Sequence, residues 1–162
     1  MRTLRVALLL AVSVTAACRV SVVRKPAAAP APTASGDVAF LHPFGAPTRP
    51  FSPAVRVGNL LYLAGQVGTD PSAAGGVVPG GIEAETRQTL NNIKQVLEAV
   101  GSSMDRVVKC TVFMADMKEW DAMNAIYRTY FTAPNYPARS AFGANGLALN
   151  ARVEIECLAV AK

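Results

Sequence analysis

The residues best suited to chemistry lie near the C-terminus. Arg139 stands in Pro137-Ala138-Arg139-Ser140, and Glu154 and Glu156 stand in Val153-Glu154-Ile155-Glu156, with Gly143 and Gly146 in the turn region between. A guanidinium fork binds a planar carboxylate through parallel charge-assisted hydrogen bonds, and a nearby glutamate can orient or deprotonate a water. Together they suit hydrolysis of a small carboxylic acid. The two stretches read as neighbouring strand-like segments, and such strands also carry Arg–Glu pairs as simple cross-strand ion pairs, so the pair acquires meaning only from its surroundings.

The elements that must position these residues can be read from the pattern. Ala54 to Val57 and Leu60 to Ala64 flank Gly58-Asn59, a two-residue hairpin signal. In Ile82 to Val100, Leu90, Ile93, Leu97 and Val100 recur at helical spacing, and Gly101 follows where a left-handed cap would end the helix. Val107 to Met114 is β-rich, and strict alternation puts Val108, Cys110, Val112 and Met114 on one face. Asp116 with Glu119 is a variant capping box for a second helix reaching about Phe131, with Trp120, Met123, Tyr127 and Tyr130 as its buried stripe. Arg139 to Ala144 and Ala151 to Val160 are the last strands, and both glutamates share a face of the second. The order β-β-α-β-α-β-β predicts an α+β domain, a mixed sheet with two helices on one side. The other sheet face is partly apolar, and self-association would cover it.

Length and charge bound the rest. The chain has 162 residues, 51% hydrophobic and 17% charged, enough for one domain with a real core. Its net charge of +5 is concentrated in Arg2, Arg5, Arg19, Arg24 and Lys25, whereas residues 40–162 hold eleven Lys and Arg against ten Asp and Glu. A domain so nearly neutral gives no footprint for nucleic acid. Met1 to Arg5 is basic, Val6 to Val14 apolar, and Thr15-Ala16-Ala17 small, as in a secretory signal peptide, and the apolar run is too short to span a bilayer. Cys18 follows directly, as at a bacterial lipoprotein cleavage site, where the cysteine is lipidated; plain secretion is the simpler alternative. The expected organisation is a signal peptide over 1–18, a Pro/Ala-rich linker over 19–39 and a domain over 40–162, exported to the periplasm or held at a membrane by a lipid anchor alone. His42, the only histidine, has no companion for a zinc site or a Ser/His/Asp triad and reads as a packing or solvent-facing residue. Cys110 and Cys157 fall in strand patterns on apolar faces and read as core residues; export would permit a disulfide, which the sequence leaves open.

Several of these stretches together resemble the RidA (YjgF-type) family of reactive-imine deaminases. The resemblance runs through Pro50-Phe51-Ser52-Pro53-Ala54-Val55, Gly58-Asn59-Leu60, Ala64-Gly65-Gln66, Thr86-Arg87-Gln88 and Asn91-Asn92-Ile93. It continues through Val107-Val108-Lys109-Cys110-Thr111-Val112-Phe113, Asn124-Ala125-Ile126-Tyr127, Pro137-Ala138-Arg139-Ser140 and Val153-Glu154-Ile155-Glu156. It implies a chorismate-mutase-like fold, a homotrimer with its pockets between adjacent subunits, and no cofactor. By position, Arg139 would grip the carboxylate of a 2-imino acid and Glu154 would hold the attacking water. Backbone groups near Gly65 and Ala141 would line the pocket, with Asn124 and Phe51 beside it, while Glu156 reads as a solvated or interface charge.

The chain also departs from the family. Phe51 replaces a common tyrosine, Ala64 a serine and Ala141 a cysteine or threonine, and Phe142 is bulkier than the usual valine. The pocket should be drier, with fewer partners for the imine nitrogen or the water. Larger or more apolar imino acids, or weak catalysis, are the expected consequences. Two function classes follow: a deaminase of 2-imino acids, favoured by Arg139 and Glu154 in their motifs, and a non-catalytic trimeric module binding small carboxylates or proteins at the cell envelope, favoured by the altered pocket and the export signal. A ribonuclease role, sometimes attributed to relatives, is disfavoured by the neutral domain.

Overall fold

The structure, a computed structural model, describes residues 37–46, 48–70 and 76–162. The signal-peptide-like segment, most of the linker and Cys18 lie outside the described residues.

Among the described residues, seven strands and two α-helices follow in the order β1 (Val38–Leu41), β2 (Ala54–Val57), β3 (Leu60–Leu63), β4 (Gln66–Val67), α1 (Gly81–Ala99), β5 (Val107–Met114), α2 (Trp120–Tyr127), β6 (Ala138–Gly143) and β7 (Val153–Val160). The sheet runs β1-β2-β3-β7-β5-β6, with the short β4 also paired to β7. The ladders are antiparallel except for β5 with β6, which are parallel. This is the mixed sheet with two helices that the pattern predicts. Two strands went unread: β1, which straddles residue 40 where the domain was expected to open, and β4, too short to show alternation.

One sheet face carries the core. Leu90, Ile93 and Leu97 of α1 and Met123 of α2 are fully buried against Cys110, Val112, Val153 and Ile155. At such positions truncating a leucine to alanine costs about 2–5 kcal/mol. Helix α1 ends as its glycine predicts, Gly101 taking φ 79° with its N–H donating to the Glu98 carbonyl.

Local details depart from the sequence pattern. The β5–β7 register slips between Val107 and Lys109, a bulge that buries Val107 and leaves Val108 exposed, so strict alternation assigned Val108 to the wrong face. Asp116 caps the 3₁₀ turn entering α2 by accepting the Lys118 N–H at 2.9 Å, but Glu119 turns to Arg152 instead of completing a capping box. Helix α2 stops at Tyr127 and tightens into a 3₁₀ turn over Arg128–Tyr130. Cys110 and Cys157, register partners on β5 and β7, are buried as expected and are joined in a disulfide, with Cα atoms 4.1 Å apart.

Among the described residues no helix lies over the opposite face. Register places Val38, Phe40, Val55, Val57, Leu60, Tyr62, Leu158 and Val160 side by side there. Phe40 is 66% exposed and Tyr62 45%, so the face is a contiguous apolar surface of the kind that seeks a partner.

Candidate functional site

Arg139 and Glu154 are held by different halves of the fold. Strand β5 lies between β6, which carries Arg139, and β7, which carries Glu154, so the neighbouring-strand arrangement expected from the sequence does not occur. Arg139 pairs in register with the buried Cys110, and Ala141 with the buried Val112, which puts both on the helix-covered face. Glu154 pairs with Phe113, which in turn pairs with Phe142 and meets its ring edge-on at 4.9 Å. That is the uncovered face.

On the helix side, β6 is the last strand of the sheet, and its outer edge is open along Arg139 to Ala141. Arg139 Nη1 donates to Asn124 Oδ1 at 2.9 Å. The guanidinium lies over the rings of Tyr127, 4.5 Å from its centroid, and Trp120, at 4.9 Å. Burial pushes the Tyr127 phenol up to about 12, against the opposing pull of the Arg139 charge, so the ring stays neutral and electron-rich beneath the cation. Trp120, Asn124 and Tyr127 come at i, i+4 and i+7 on α2, which aims them together at β6. One fork is thus locked from behind and presents its remaining N–H groups to a cavity of about 370 Å³ lined by Asn124, Tyr127, Arg128, Tyr136, Pro137 and Arg139. The sequence pattern took Trp120 and Tyr127 for plain core; a polar Asn124 on the helix between them was the signal that this stripe serves a charge.

On the uncovered side, Glu154 packs against the backbone at Gly65. A Cβ added to Gly65 would overlap the Glu154 carboxylate and lie 3.0 Å from its Cδ, so only glycine allows the approach. The carboxylate makes no hydrogen bond or ion pair among the described residues. Burial, and then the like charge of Glu156, raise its pKa above the usual glutamate range. A half-buried, unpaired carboxylate with a raised pKa is suited to trading a proton with water. The Ala64 N–H donates to the Pro53 carbonyl at 3.0 Å, which ties the loop bearing Phe51 to this side. Phe51 is 47% exposed, with the Arg49 guanidinium 5.9 Å from its ring centroid.

The structure therefore brings together Arg139, Asn124 and Ala141 in one group and Glu154 with Gly65 in another, while Phe51 lines a separate cavity beside Phe40 and Val55. Glu156 lies on the Glu154 face and is exposed, as a solvated or interface charge would be. His42 faces Ser52 Oγ at 3.4 Å from Nε2. Among the described residues no cluster of His, Cys, Asp and Glu could hold a metal ion, and no helix is long and apolar enough to cross a membrane.

Comparison with known proteins accords with this geometry. The profile of the family described as Endoribonuclease L-PSP matches residues 43–161. A mouse protein named 2-iminobutanoate/2-iminopropanoate deaminase is 46% identical over 111 residues, which cover 68% of this chain and 81% of that one. A RutC family protein of Pyrococcus horikoshii is 41% identical over 123 residues, covering 76% of this chain and 96% of the other. The solved structure of the Escherichia coli YjgF gene product superposes with a TM-score of 0.66 at 33% identity, covering 72% of this chain and 91% of that one. With a matching profile over most of its length, relatives above 40% identity and the same fold in solved structures, the chain belongs to the RidA/YjgF family.

Proposed function

We propose that the protein hydrolyses 2-imino acids to 2-keto acids and ammonia in a site that two copies of the chain complete. One copy supplies Arg139, Asn124 and Ala141, and its neighbour supplies Glu154, Gly65 and Phe51. The observation that carries this reading is the placement of the two groups on opposite faces of one sheet, each complete in itself and each lacking the other. The uncovered apolar face around Tyr62 and Phe40 gives the copies a reason to associate, and a closed ring of three satisfies it on every subunit. Relatives named as 2-iminobutanoate/2-iminopropanoate deaminases support the chemistry.

In this mechanism the Arg139 fork, its orientation fixed by Asn124 and the two rings, binds the α-carboxylate. The imine carbon then faces Glu154 of the neighbour across a water. The water oxygen bonds to that carbon as the C=N π pair moves to nitrogen; Glu154 takes a proton from the water and returns it to the nitrogen. Glu154 then passes the remaining hydroxyl proton to the amino nitrogen as the C–N bond breaks, so that ammonia leaves and the carbonyl forms. Nothing is oxidised or reduced, so the chemistry requires no cofactor, and holding the water against an already electrophilic carbon supplies much of the acceleration. Phe51 and Ala64 add no side-chain hydroxyl on the Glu154 side and Ala141 no thiol or hydroxyl beside Arg139, which leaves the water to Glu154 and backbone groups.

We further propose that the protein is exported from the cytoplasm. The Cys110–Cys157 disulfide suits an oxidising compartment, in keeping with the signal-peptide-like start and with lipidation at Cys18.

The test is release of 2-keto acid from 2-iminopropanoate and 2-iminobutanoate generated in place by an amino acid oxidase. The protein should accelerate release well above spontaneous hydrolysis. A rate equal to the protein-free control, with 2-oxobutanoate still bound, would leave a carboxylate-binding module in place of an enzyme.

A further inference from the structure

The cavity beside Arg139 holds a second cation. Arg128, the first residue of the 3₁₀ turn after α2, lines the same cavity, one helical turn beyond Asn124. Among the described residues no carboxylate lines that cavity. Nor does the local sequence provide one: the residues three and four positions from Arg128 are Ala125, Asn124, Phe131 and Thr132, so no i,i+4 ion pair can form. The ion pairs among the described residues use Lys94, Glu98, Arg152, Glu85 and Glu119, and neither Arg128 nor Arg139 takes part. Two unneutralised guanidinium groups therefore bound a space of about 370 Å³, with Tyr136 and Pro137 as its walls. An α-carboxylate on Arg139 would satisfy only one of them. A ligand's apolar end would gain nothing from the exposed Arg128, whereas a second anionic group would gain a charge-assisted hydrogen bond.

We infer that Arg128 is a specificity-determining residue and that the site takes dicarboxylic 2-imino acids of four or five carbons, the distal carboxylate on Arg128. The inference rests on the deaminase reading and gives its substrate class. It runs against the expectation, drawn from Phe51, Ala64 and Ala141, of a shift toward apolar imino acids. Phe51 and Ala64 lie away from Arg139, and Ala141 beside it adds no charge, whereas the cavity that receives the substrate's carboxylate end is doubly cationic.

The experiment compares the purified full chain with Arg128→Ala, Arg128→Gln and Arg128→Lys on two substrates, the imines that an oxidase generates from aspartate and from alanine. The wild-type protein should favour the dicarboxylic imine. Arg128→Ala and Arg128→Gln should each lower kcat/KM for it by about tenfold, the scale of one hydrogen bond to a charged group, and leave the alanine-derived imine unchanged. Arg128→Lys should recover part of the loss, and added salt should erode the wild-type preference because Arg128 is exposed. Calorimetric titration with 2-oxoglutarate and 2-oxobutanoate reads the same preference without turnover. Binding of 2-oxoglutarate that depends on Arg128, with neither imine hydrolysed, would keep the ligand class and remove the deaminase reading. Hydrolysis of the monocarboxylic imine with equal or absent effects of Arg128 on both substrates would keep the deaminase and overturn this inference.

Discussion

Arg139 and Glu154 face away from one another across a single sheet, Arg139 beside Cys110 under α2 and Glu154 beside Phe113 on the bare face. No side-chain motion within one chain brings them together without breaking the β5 ladders to β6 and β7. If they act on one substrate, they come from different copies.

Subunit mixing tests this directly. Arg139→Ala and Glu154→Gln should each be inactive alone. Unfolded together and refolded as mixed rings, they should regain activity at about a quarter of the interfaces, the fraction in which an intact Arg139 meets an intact Glu154 in random head-to-tail assembly. A mixture no more active than its parents, with mixed oligomers present by mass spectrometry, would place the whole site within one chain.

Arg139→Lys separates charge from shape. Lysine keeps the cation but loses the fork and the flat stacking on Tyr127 and Trp120. A fall in kcat/KM of about 30-fold or more is expected for both Arg139→Lys and Arg139→Ala, as for loss of one partner of a buried charge pair. Asn124→Ala frees the guanidinium without removing it, so it should raise KM more than it lowers kcat. Steady-state kinetics on the assembled oligomer reads all of these.

Glu154 makes stability depend on pH. Its folded pKa is raised by burial and by Glu156, so the folded state holds the proton more tightly than the unfolded chain. That contribution is fully present below the ordinary glutamate pKa, roughly 4.3, and is lost as pH rises through the higher folded value. Glu154→Gln removes it. The melting temperature of the variant relative to wild type should therefore rise between acid and neutral pH, and a difference that stays flat or falls would show that the carboxylate is not strained by its surroundings.

Gly65→Ala probes the other half-site. The added methyl overlaps the Glu154 carboxylate, which must swing away from its place beside the backbone. Turnover should fall while 2-oxobutanoate binding, carried by Arg139, is kept. Equal loss of both would mean that the substitution disturbs the assembly and not the water-holding carboxylate alone.

How much of this the sequence shows depends on the range of the interaction. Helix α1, the Gly101 stop and the hairpin at Gly58-Asn59 are local devices, and each is visible in a few residues. The sharing of one strand face by Glu154 and Glu156 is likewise a matter of alternation. The placement of β5 between β6 and β7 is not, since it depends on a parallel crossover through α2 and an antiparallel return. Spacing alone made Arg139 and Glu154 look like neighbours for that reason. The bulge that turns Val108 outward leaves no mark in a run of β-formers. The aromatic seat of Arg139 was half visible: Trp120 and Tyr127 read as core by period, and only contact with β6 shows that they hold a cation.

The Cys110–Cys157 disulfide ties β5 to β7, and so fixes the strand that pairs with Arg139's β6 to the strand that carries Glu154. Its sequence separation of 47 residues spans α2 and β6. Closing a loop of that size restricts the unfolded chain by about 4 kcal/mol in the chain-entropy account, and removing such a bridge typically costs about 2–5 kcal/mol. Both cysteines are buried, so Cys110→Ala with Cys157→Ala should lower stability by that amount in denaturant titrations without exposing a polar group. The wild-type protein should lose the same amount under a reductant strong enough to open the bridge, and the double variant should be indifferent to reductant. Each half-site is braced on its own, Arg139 by Asn124 and α2, Glu154 by Gly65. Activity of the double variant below its melting transition should therefore remain close to that of wild type. A loss of activity in a still-folded double variant would show that the bridge sets the geometry of the site and not only the stability of the sheet.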